Sequence, residues 1–204
     1  MKKLFLASSF KDVAPLFAAF AGEVAGKTVT FIPTASTVEA VNFFVKSGKK
    51  ALEKLGMRVD ELDVSTAARE DIARKLAEND CIYICGGNTF FLLQELRRSG
   101  ADALIREQVN AGKLYIGESA GAMVAAPDIA YAAAMDSVKK APSLTSFDAL
   151  RLTEFFTVPH HTNAPFKKAV EKIKAQYGTT LTLYPISNKE AVLVEGDAVT
   201  VRGV

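Results

Sequence analysis

The sequence predicts a single α/β domain with a mostly parallel sheet, helices on both faces of the sheet, and a small antiparallel β addition at the C-terminus. Short apolar runs of strand length alternate with longer segments of helical period, which is typical of a parallel sheet covered by helices. The chain has 204 residues, 49% of them apolar, which is enough for one substantial core and little for two. We therefore expect residues 1–204 to form one domain.

The first part of the chain predicts five strands with helices between them. Residues 4–7 form the first apolar run, and Pro33 ends the second, at 28–32. The run at 81–85 is apolar at every position and predicts a strand buried on both faces. The other predicted strands are 58–63 and 113–116, and the predicted helices are 12–25, 38–55, 69–78 and one that begins at Thr89.

The pattern weakens after residue 126. Residues 127–152 have poor periodicity and predict a long excursion with one short strand, and a strand at 155–158 follows. A helix is predicted at 166–176. Three final apolar runs, at 180–184, 191–194 and 198–201, predict antiparallel strands. A turn at 195–197 joins the last two.

Charge and cysteine usage narrow the classes of function. Lys and Arg number 25 and Asp and Glu 23, so the formal net charge is only +2. A net charge this small gives no strong electrostatic attraction to nucleic acid or to a membrane surface. Cys81 and Cys85 are too far apart on one strand for a disulfide, which favours a reducing compartment. The apolar run near the N-terminus is too short for a signal peptide, and none approaches the roughly 18 residues of a membrane span. We expect a cytoplasmic protein, as a monomer or homodimer.

The strongest chemical motif is the stretch Tyr115 to Ala122, Tyr-Ile-Gly-Glu-Ser-Ala-Gly-Ala. It places Gly-x-Ser-x-Gly after a buried strand and before an Ala-rich helix, the context of a nucleophile on a sharp turn. The helix behind Ser119 supplies backbone N–H groups that favour an oxyanion beside the serine. The alternative is a turn of small residues where a helix packs tightly on a strand.

A serine nucleophile needs a base, and the chain has two histidines. His160 and His161 follow the predicted strand 155–158, and side chains adjacent in an extended segment point in opposite directions, so one is expected to face the site. Spacing alone does not choose a carboxylate to orient the histidine. The candidates between serine and histidine are Asp128, Asp136, Asp148 and Glu154.

Gly86 and Gly87 close the fourth predicted strand ahead of a helix and expose backbone N–H groups at the same sheet edge. An oxyanion hole is one interpretation of this pair. A phosphate-binding turn is the other, although the spacing lacks both common nucleotide-binding patterns.

Four ordered motifs together resemble the peptidase E and cyanophycinase-like serine peptidases, which include aspartyl dipeptidase. The motifs are Gly-Gly-Asn-Thr-Phe at 86–90, the stretch at 115–122, Ser-Phe-Asp-Ala-Leu at 146–150 and Pro-His-His-Thr-Asn at 159–163. The resemblance implies a fold similar to class I glutamine amidotransferase domains. It also implies Ser119 as nucleophile, His160 as base, Asp136 as the acid, and Gly87 with the Ala120 N–H as oxyanion hole.

One departure from that family bears on specificity. Aspartyl dipeptidases carry an arginine-containing stretch after the Thr-Asn pair, whereas the segment after Asn163 here has no Arg, which argues against aspartate specificity. Asn88, Glu118, His161 and Asn163 lie within the motifs and are predicted to contact substrate.

The sequence therefore predicts a hydrolase of small peptides, dipeptidase-like, that requires no metal ion and no organic cofactor. Two alternatives stay open. One is an inactive binding or regulatory domain of the same fold, and the other is an esterase of the α/β-hydrolase type, because the Gly-x-Ser-x-Gly pattern and the order Ser, Asp, His occur there too.

Overall fold

A computed structural model describes all 204 residues and contains a seven-stranded sheet in the order β3-β2-β4-β5-β1-β8-β9. Strands β1 to β5 are mutually parallel, whereas β8 pairs antiparallel with both β1 and β9. The strands of this sheet are β1 Lys3–Ala7, β2 Thr28–Ile32, β3 Arg58–Glu61, β4 Cys81–Ile84, β5 Leu114–Glu118, β8 Glu190–Glu195 and β9 Ala198–Gly203. The mostly parallel α/β prediction and the C-terminal antiparallel hairpin are confirmed.

Seven helices accompany the strands, and two glycines with positive φ, Gly22 and Gly100, bound three of them. The helices are α1 Phe10–Ala21, α2 Phe43–Lys54, α3 Arg69–Glu78, α4 Thr89–Ser99, α5 Ala101–Asn110, α6 Ala120–Met123 and α7 Lys167–Tyr177. The helix predicted from Thr89 breaks into α4 and α5 at Gly100, which has φ 77°. Helix α1 ends earlier than predicted because Gly22, at φ 76°, leaves the helical conformation. None of the helices has the length and apolar character needed to cross a membrane.

The prediction for residues 180–184 was wrong in direction. The strand lies at Leu183–Pro185 (β7) and pairs in parallel with β6, Phe156–Val158, in a separate two-stranded sheet. Helix α7 connects the two strands, and such a crossover returns the chain in the same direction.

The core lies on both faces of the main sheet, and β4 shows how one strand serves both. Ile82 and Ile84 belong to a cluster of 39 buried residues that includes side chains of α3, α4 and α5. Cys81 and Tyr83 alternate with them and belong to a cluster of 16 buried residues, which includes side chains of α1 and α2. This alternation explains why the strand is apolar at every position.

The carboxyl ends of the parallel strands bring several polar loops to one edge of the sheet. Ser8 follows β1, Gly86 and Gly87 follow β4, and Ser119 follows β5. Because β8 runs antiparallel to β1, its amino end lies at this same edge, with Asn188 just before it. The edge therefore collects residues that are far apart in sequence, as is usual for sites on open parallel sheets.

The weakly periodic segment after α6 is irregular. It contains two short 3-10 helices, Ala130–Ala134 and Val138–Lys140, and an isolated antiparallel bridge between Asp128 and Asp148. This excursion packs beside the start of α4 and carries Asp136 towards the sheet edge.

Candidate active site

Ser119 occupies a sharp turn between β5 and α6, with φ 50° and ψ −106°. A residue other than glycine with positive φ is strained and is held only by its surroundings. Here the Ser119 N–H donates to the Ala7 carbonyl at 2.8 Å, and a Cβ on Gly121 would lie 2.2 Å from the Ile84 carbonyl oxygen. The turn thus depends on a close approach between β4 and α6 that a side chain at Gly121 would prevent.

Glu118 braces this turn from inside the protein. Its carboxylate accepts hydrogen bonds from the Phe10 N–H at 2.9 Å and the Tyr83 hydroxyl at 2.7 Å, and the Cys85 thiol lies at 3.7 Å. Burial raises the pKa of Glu118 above its usual value, and these hydrogen bonds oppose the shift. Glu118 lies at the cavity wall, but both its oxygens are engaged within the protein.

The structure brings His160 and Ser119 together: His160 Nε2 lies 2.9 Å from Ser119 Oγ. The histidine does not reach the serine from the main sheet, because β6 belongs to the small second sheet. Instead, Ser8 links the two parts. The Ser8 hydroxyl accepts from the His160 N–H at 3.0 Å and donates to the Ile186 carbonyl at 2.9 Å.

The other ring nitrogen of His160 faces an amide. His160 Nδ1 lies 2.8 Å from Asn188 Oδ1, so Nδ1 carries the proton and Nε2 is free to accept one from Ser119. The Asn188 N–H donates to Asn163 Oδ1 at 2.9 Å, which fixes the loop. The Phe166 ring stacks on the imidazole, with ring centroids 4.8 Å apart. Burial lowers the pKa of His160, and the hydrogen bond with Asn188 opposes this effect.

The expectation that Asp136 orients His160 is therefore corrected. Asp136 Oδ2 accepts from the Thr89 N–H at 2.9 Å and from the Thr89 hydroxyl at 2.5 Å, at the first residue of α4. The Asp136 carboxylate therefore accepts a hydrogen bond from the N-terminal end of α4, on the β4 side of Ser119. The side chain beside His160 Nδ1 is that of Asn188. None of the other three carboxylates between serine and histidine contacts His160; these are Asp128, Asp148 and Glu154.

The backbone N–H groups of Gly87 and Ala120 form the predicted oxyanion hole. Gly87 has φ 138°, and a Cβ there would lie 2.1 Å from the Ala35 carbonyl oxygen, so only glycine fits. Its N–H donates no backbone hydrogen bond. Ala120 is the first residue of α6, where an N–H has no partner within the helix. The assignment of these two N–H groups to an oxyanion hole stays a prediction.

All four residues predicted to contact substrate make contacts within the framework, and of the four only Glu118 also lines the cavity. Asn88 caps α4 by accepting from the Phe91 N–H at 2.9 Å, and Asn163 holds Asn188. His161 lies against α7, 3.6 Å from Glu171 and 3.4 Å from Lys174, and does not line the cavity. Its outward direction agrees with the expectation that only one of the two histidines faces the site.

A cavity of about 540 Å³ opens above Ser119, within the range typical of small-molecule sites. Its wall combines apolar side chains with carboxylates, and Lys11 is the only Lys or Arg that lines it. No three His, Cys, Asp or Glu side chains are grouped as metal ligands would be.

Sequence reasoning missed Ser8, Phe166 and Asn188. Ser8 was within reach of prediction, since it follows the first strand at the sheet edge where ligands bind. Asn188 was out of reach of prediction, because nothing in the sequence places an amide 28 residues after His160 beside its ring.

Comparison with known proteins gives a consistent result over the whole chain. Residues 4–202 match the sequence profile of peptidase family S51. An uncharacterized peptidase of Listeria innocua is 61% identical over 202 residues, covering 99% of this chain and 97% of the relative. The peptidase E of Pasteurella multocida is 32% identical over 212 residues, covering 100% of this chain and 87% of the relative.

Two crystal structures resemble this fold. One, of a Listeria monocytogenes protein described as a candidate peptidase E, has a TM-score of 0.97 at 58% identity and covers 100% of this chain and 99% of its own. The other, of a peptidase from an acI-B1 Actinobacterium, has a TM-score of 0.68 at 22% identity and shares the fold; it covers 100% of this chain and 88% of its own.

Proposed function

The chain belongs to peptidase family S51 and is a serine-type peptidase, and on this premise we propose that it hydrolyses short peptides, as a dipeptidase does, with Ser119 as nucleophile and His160 as base. The observation that carries the proposal is the 2.9 Å separation of Ser119 Oγ and His160 Nε2 at a strained strand-turn-helix elbow. A nucleophile within hydrogen-bond reach of a base, itself oriented by a third group, is the arrangement that covalent catalysis requires.

In the first step, His160 Nε2 takes the Ser119 hydroxyl proton while Oγ attacks the peptide carbonyl carbon. The resulting oxyanion accepts hydrogen bonds from the N–H groups of Gly87 and Ala120. The protonated His160 then gives its proton to the leaving amine as the C–N bond breaks, and an acyl-enzyme forms. Water, deprotonated by His160, releases the acid and restores Ser119.

Asn188 takes the orienting role that the sequence assigned to Asp136. As an acceptor for His160 Nδ1–H, at 2.8 Å, it selects the tautomer in which Nε2 is a base. A neutral amide stabilises the imidazolium less than a carboxylate does. Burial lowers the pKa of His160 and the Asn188 hydrogen bond only partly opposes this, so His160 is a weaker base that stays unprotonated to lower pH.

The proposal is tested with a panel of unblocked dipeptides and a fluorophosphonate probe. Ser119→Ala should abolish both turnover and labelling, with Ser143→Ala as the matched control because Ser143 lies outside the cavity on the exposed excursion. Equal turnover by Ser119→Ala and the parent protein would refute the proposal.

A binding or regulatory domain is the second candidate, and the absence of a carboxylate beside His160 is the observation that favours it. That role would be supported if no acylation of Ser119 occurred at any pH from mildly acidic to alkaline. Turnover of simple aryl esters with none of dipeptides would instead favour an esterase.

A further inference from the structure

Charge is distributed unevenly in the cavity around Ser119. Lys11 is its one Lys or Arg, whereas four carboxylates line it: Asp12, Glu39, Glu118 and Asp136. Both oxygens of Glu118 are engaged inside the protein, and Asp12 is exposed on the first turn of α1 beside Lys11. The remaining carboxylates of the wall, Glu39 and Asp136, have no Lys or Arg partner that lines the cavity.

Asp136 is only half satisfied within the protein. Thr89 donates both its N–H and its hydroxyl to Oδ2, and Oδ1 accepts no hydrogen bond. Burial raises the pKa of the Asp136 carboxyl, the Thr89 hydrogen bonds oppose the shift, and the nearby Glu39 carboxylate adds to it. Glu39 has one cationic partner, Lys140 at 3.6 Å, which does not line the cavity. A positive group in the cavity would complement this pair.

The position of Asp136 relative to His160 indicates which part of a bound peptide lies near Asp136. His160 delivers its proton to the leaving amine, so the leaving residue lies on the His160 side and the acyl residue extends away from it. Asp136 lies on the opposite side of Ser119, bonded to the start of α4 after β4, while His160 is held by Ser8 after β1 and Asn188 before β8.

We propose that Asp136 Oδ1, reinforced by Glu39, binds the free α-ammonium group of the substrate's first residue, so that the site takes unblocked peptides whose first side chain is not acidic. The inference rests on the proposed function and names the substrate class for it. It agrees with the local geometry, because Thr89, which holds Asp136, is two residues after Gly87, at most about 7 Å along the chain. In a peptide, the ammonium group is separated from the scissile carbonyl carbon by one carbon atom only.

The same residues disfavour an acidic first side chain. No Arg lines the cavity, and a third carboxylate beside Asp136 and Glu39 would be repelled. The apolar side chains that share this wall, including Met123, Met135 and Phe44, suit an apolar first residue. Repulsion by Asp136 and Glu39 is therefore the electrostatic reason why this site does not prefer an N-terminal aspartate.

The test compares kcat/KM for Leu-Ala, N-acetyl-Leu-Ala and Asp-Ala. The parent protein should prefer Leu-Ala over each of the others by about 100-fold, the effect of one charge-assisted hydrogen bond in a partly buried site. Asp136→Asn should reduce the preference for the free amine to about 10-fold or less, and Glu39→Gln should reduce it by a smaller factor. Asp128→Asn is the matched control, since Asp128 lies on the same excursion outside the cavity.

The preference is a ratio measured within one sample, so a lower folded fraction in Asp136→Asn does not change it. Equal cleavage of Leu-Ala and N-acetyl-Leu-Ala by the parent, or an unchanged ratio in Asp136→Asn, would overturn the inference. So would efficient cleavage of N-acetyl-Lys-Ala, which would place a side-chain ammonium at Asp136. Failure of the proposed function is distinguishable from these outcomes. In that case the parent protein shows neither fluorophosphonate labelling nor peptide turnover. If only the inference fails, the parent is still labelled, and the labelling is lost in Ser119→Ala.

Discussion

The two sides of Ser119 differ in charge and in the way they are built. On one, the histidine side, Ser8, Asn163 and Asn188 hold His160 through neutral hydrogen bonds. On the other, the carboxylate side, Gly87 lies beside Asp136 and Glu39 at the wall of the cavity. A serine, a histidine and a carboxylate in one cavity suggest a charged triad, yet the negative charge lies across the serine from the base.

This separation assigns different tasks to the two sides. The histidine side sets the tautomer and the basicity of His160 without charge. In the proposed mechanism, the carboxylate side holds the acyl part of the substrate and stabilises the oxyanion through the Gly87 N–H. Variants of the histidine side are therefore expected to alter acylation of Ser119 by any reagent, whereas variants of Asp136 alter the choice among peptides.

The largest effect on the histidine side is expected for His160→Ala. Loss of the base should lower kcat/KM for an unblocked dipeptide by about 10⁴-fold or more, as for removal of a triad histidine. Steady-state kinetics on the folded variant measures it, and His161→Ala is the matched control. Because His161 contacts α7 outside the cavity, its variant should stay within about twofold of the parent.

Gly87→Ala is expected to have the largest effect on the carboxylate side. The new Cβ would lie 2.1 Å from the Ala35 carbonyl oxygen at φ 138°, so the backbone must shift and the Gly87 N–H must move with it. We expect a loss of about 10²-fold in kcat and a decrease of about 2–4 kcal/mol in the free energy of unfolding. Kinetics and chemical denaturation measure the two effects. Unchanged kcat in a destabilised variant would remove Gly87 from the oxyanion hole.

The loss expected for Asn188→Ala is smaller than that for His160→Ala and is not accompanied by the backbone shift of Gly87→Ala. The variant keeps the imidazole but releases its Nδ1–H, so the ring orientation and tautomer are no longer fixed. We expect the rate of Ser119 labelling by a fluorophosphonate to fall by about 10²-fold. Asn79→Ala, far from the cavity beside Asp60, serves as control. If labelling were as fast as in the parent, Asn188 would have no orienting role.

How much of this site the sequence predicts depends on how far apart its parts lie. The elbow is contiguous: a buried strand, Gly117 to Gly121 and a helix are adjacent, so Ser119 follows from local pattern alone. The pair His160 and His161 is predicted from its place after a strand, and the family resemblance selects His160. That strand belongs to a second sheet, and Ser8 makes the connection.

Asn188 illustrates what local pattern does not predict. It joins His160 through a loop 28 residues further along the chain, at the amino end of an antiparallel strand. Nothing in the spacing places that loop beside the histidine. The pairing of β8 with β1 and the backbone hydrogen bonds of Ile186 with Val158 and His161 do so. The same limit applies to β7, whose parallel pairing depends on the crossover through α7 and not on its own residues.

The most direct test of a neutral orienting group is the pH dependence of Ser119 labelling in Asn188→Asp and Asp136→Asn. Protonated His160 is no base, so in the parent the rate should fall with decreasing pH through a pKa below the ordinary value of 6.5. Asn188→Asp places a negative charge beside Nδ1, which stabilises the imidazolium and should move this limb to higher pH by about one unit or more. Asp136→Asn should leave the limb in place. A shift in Asp136→Asn with none in Asn188→Asp would contradict the account.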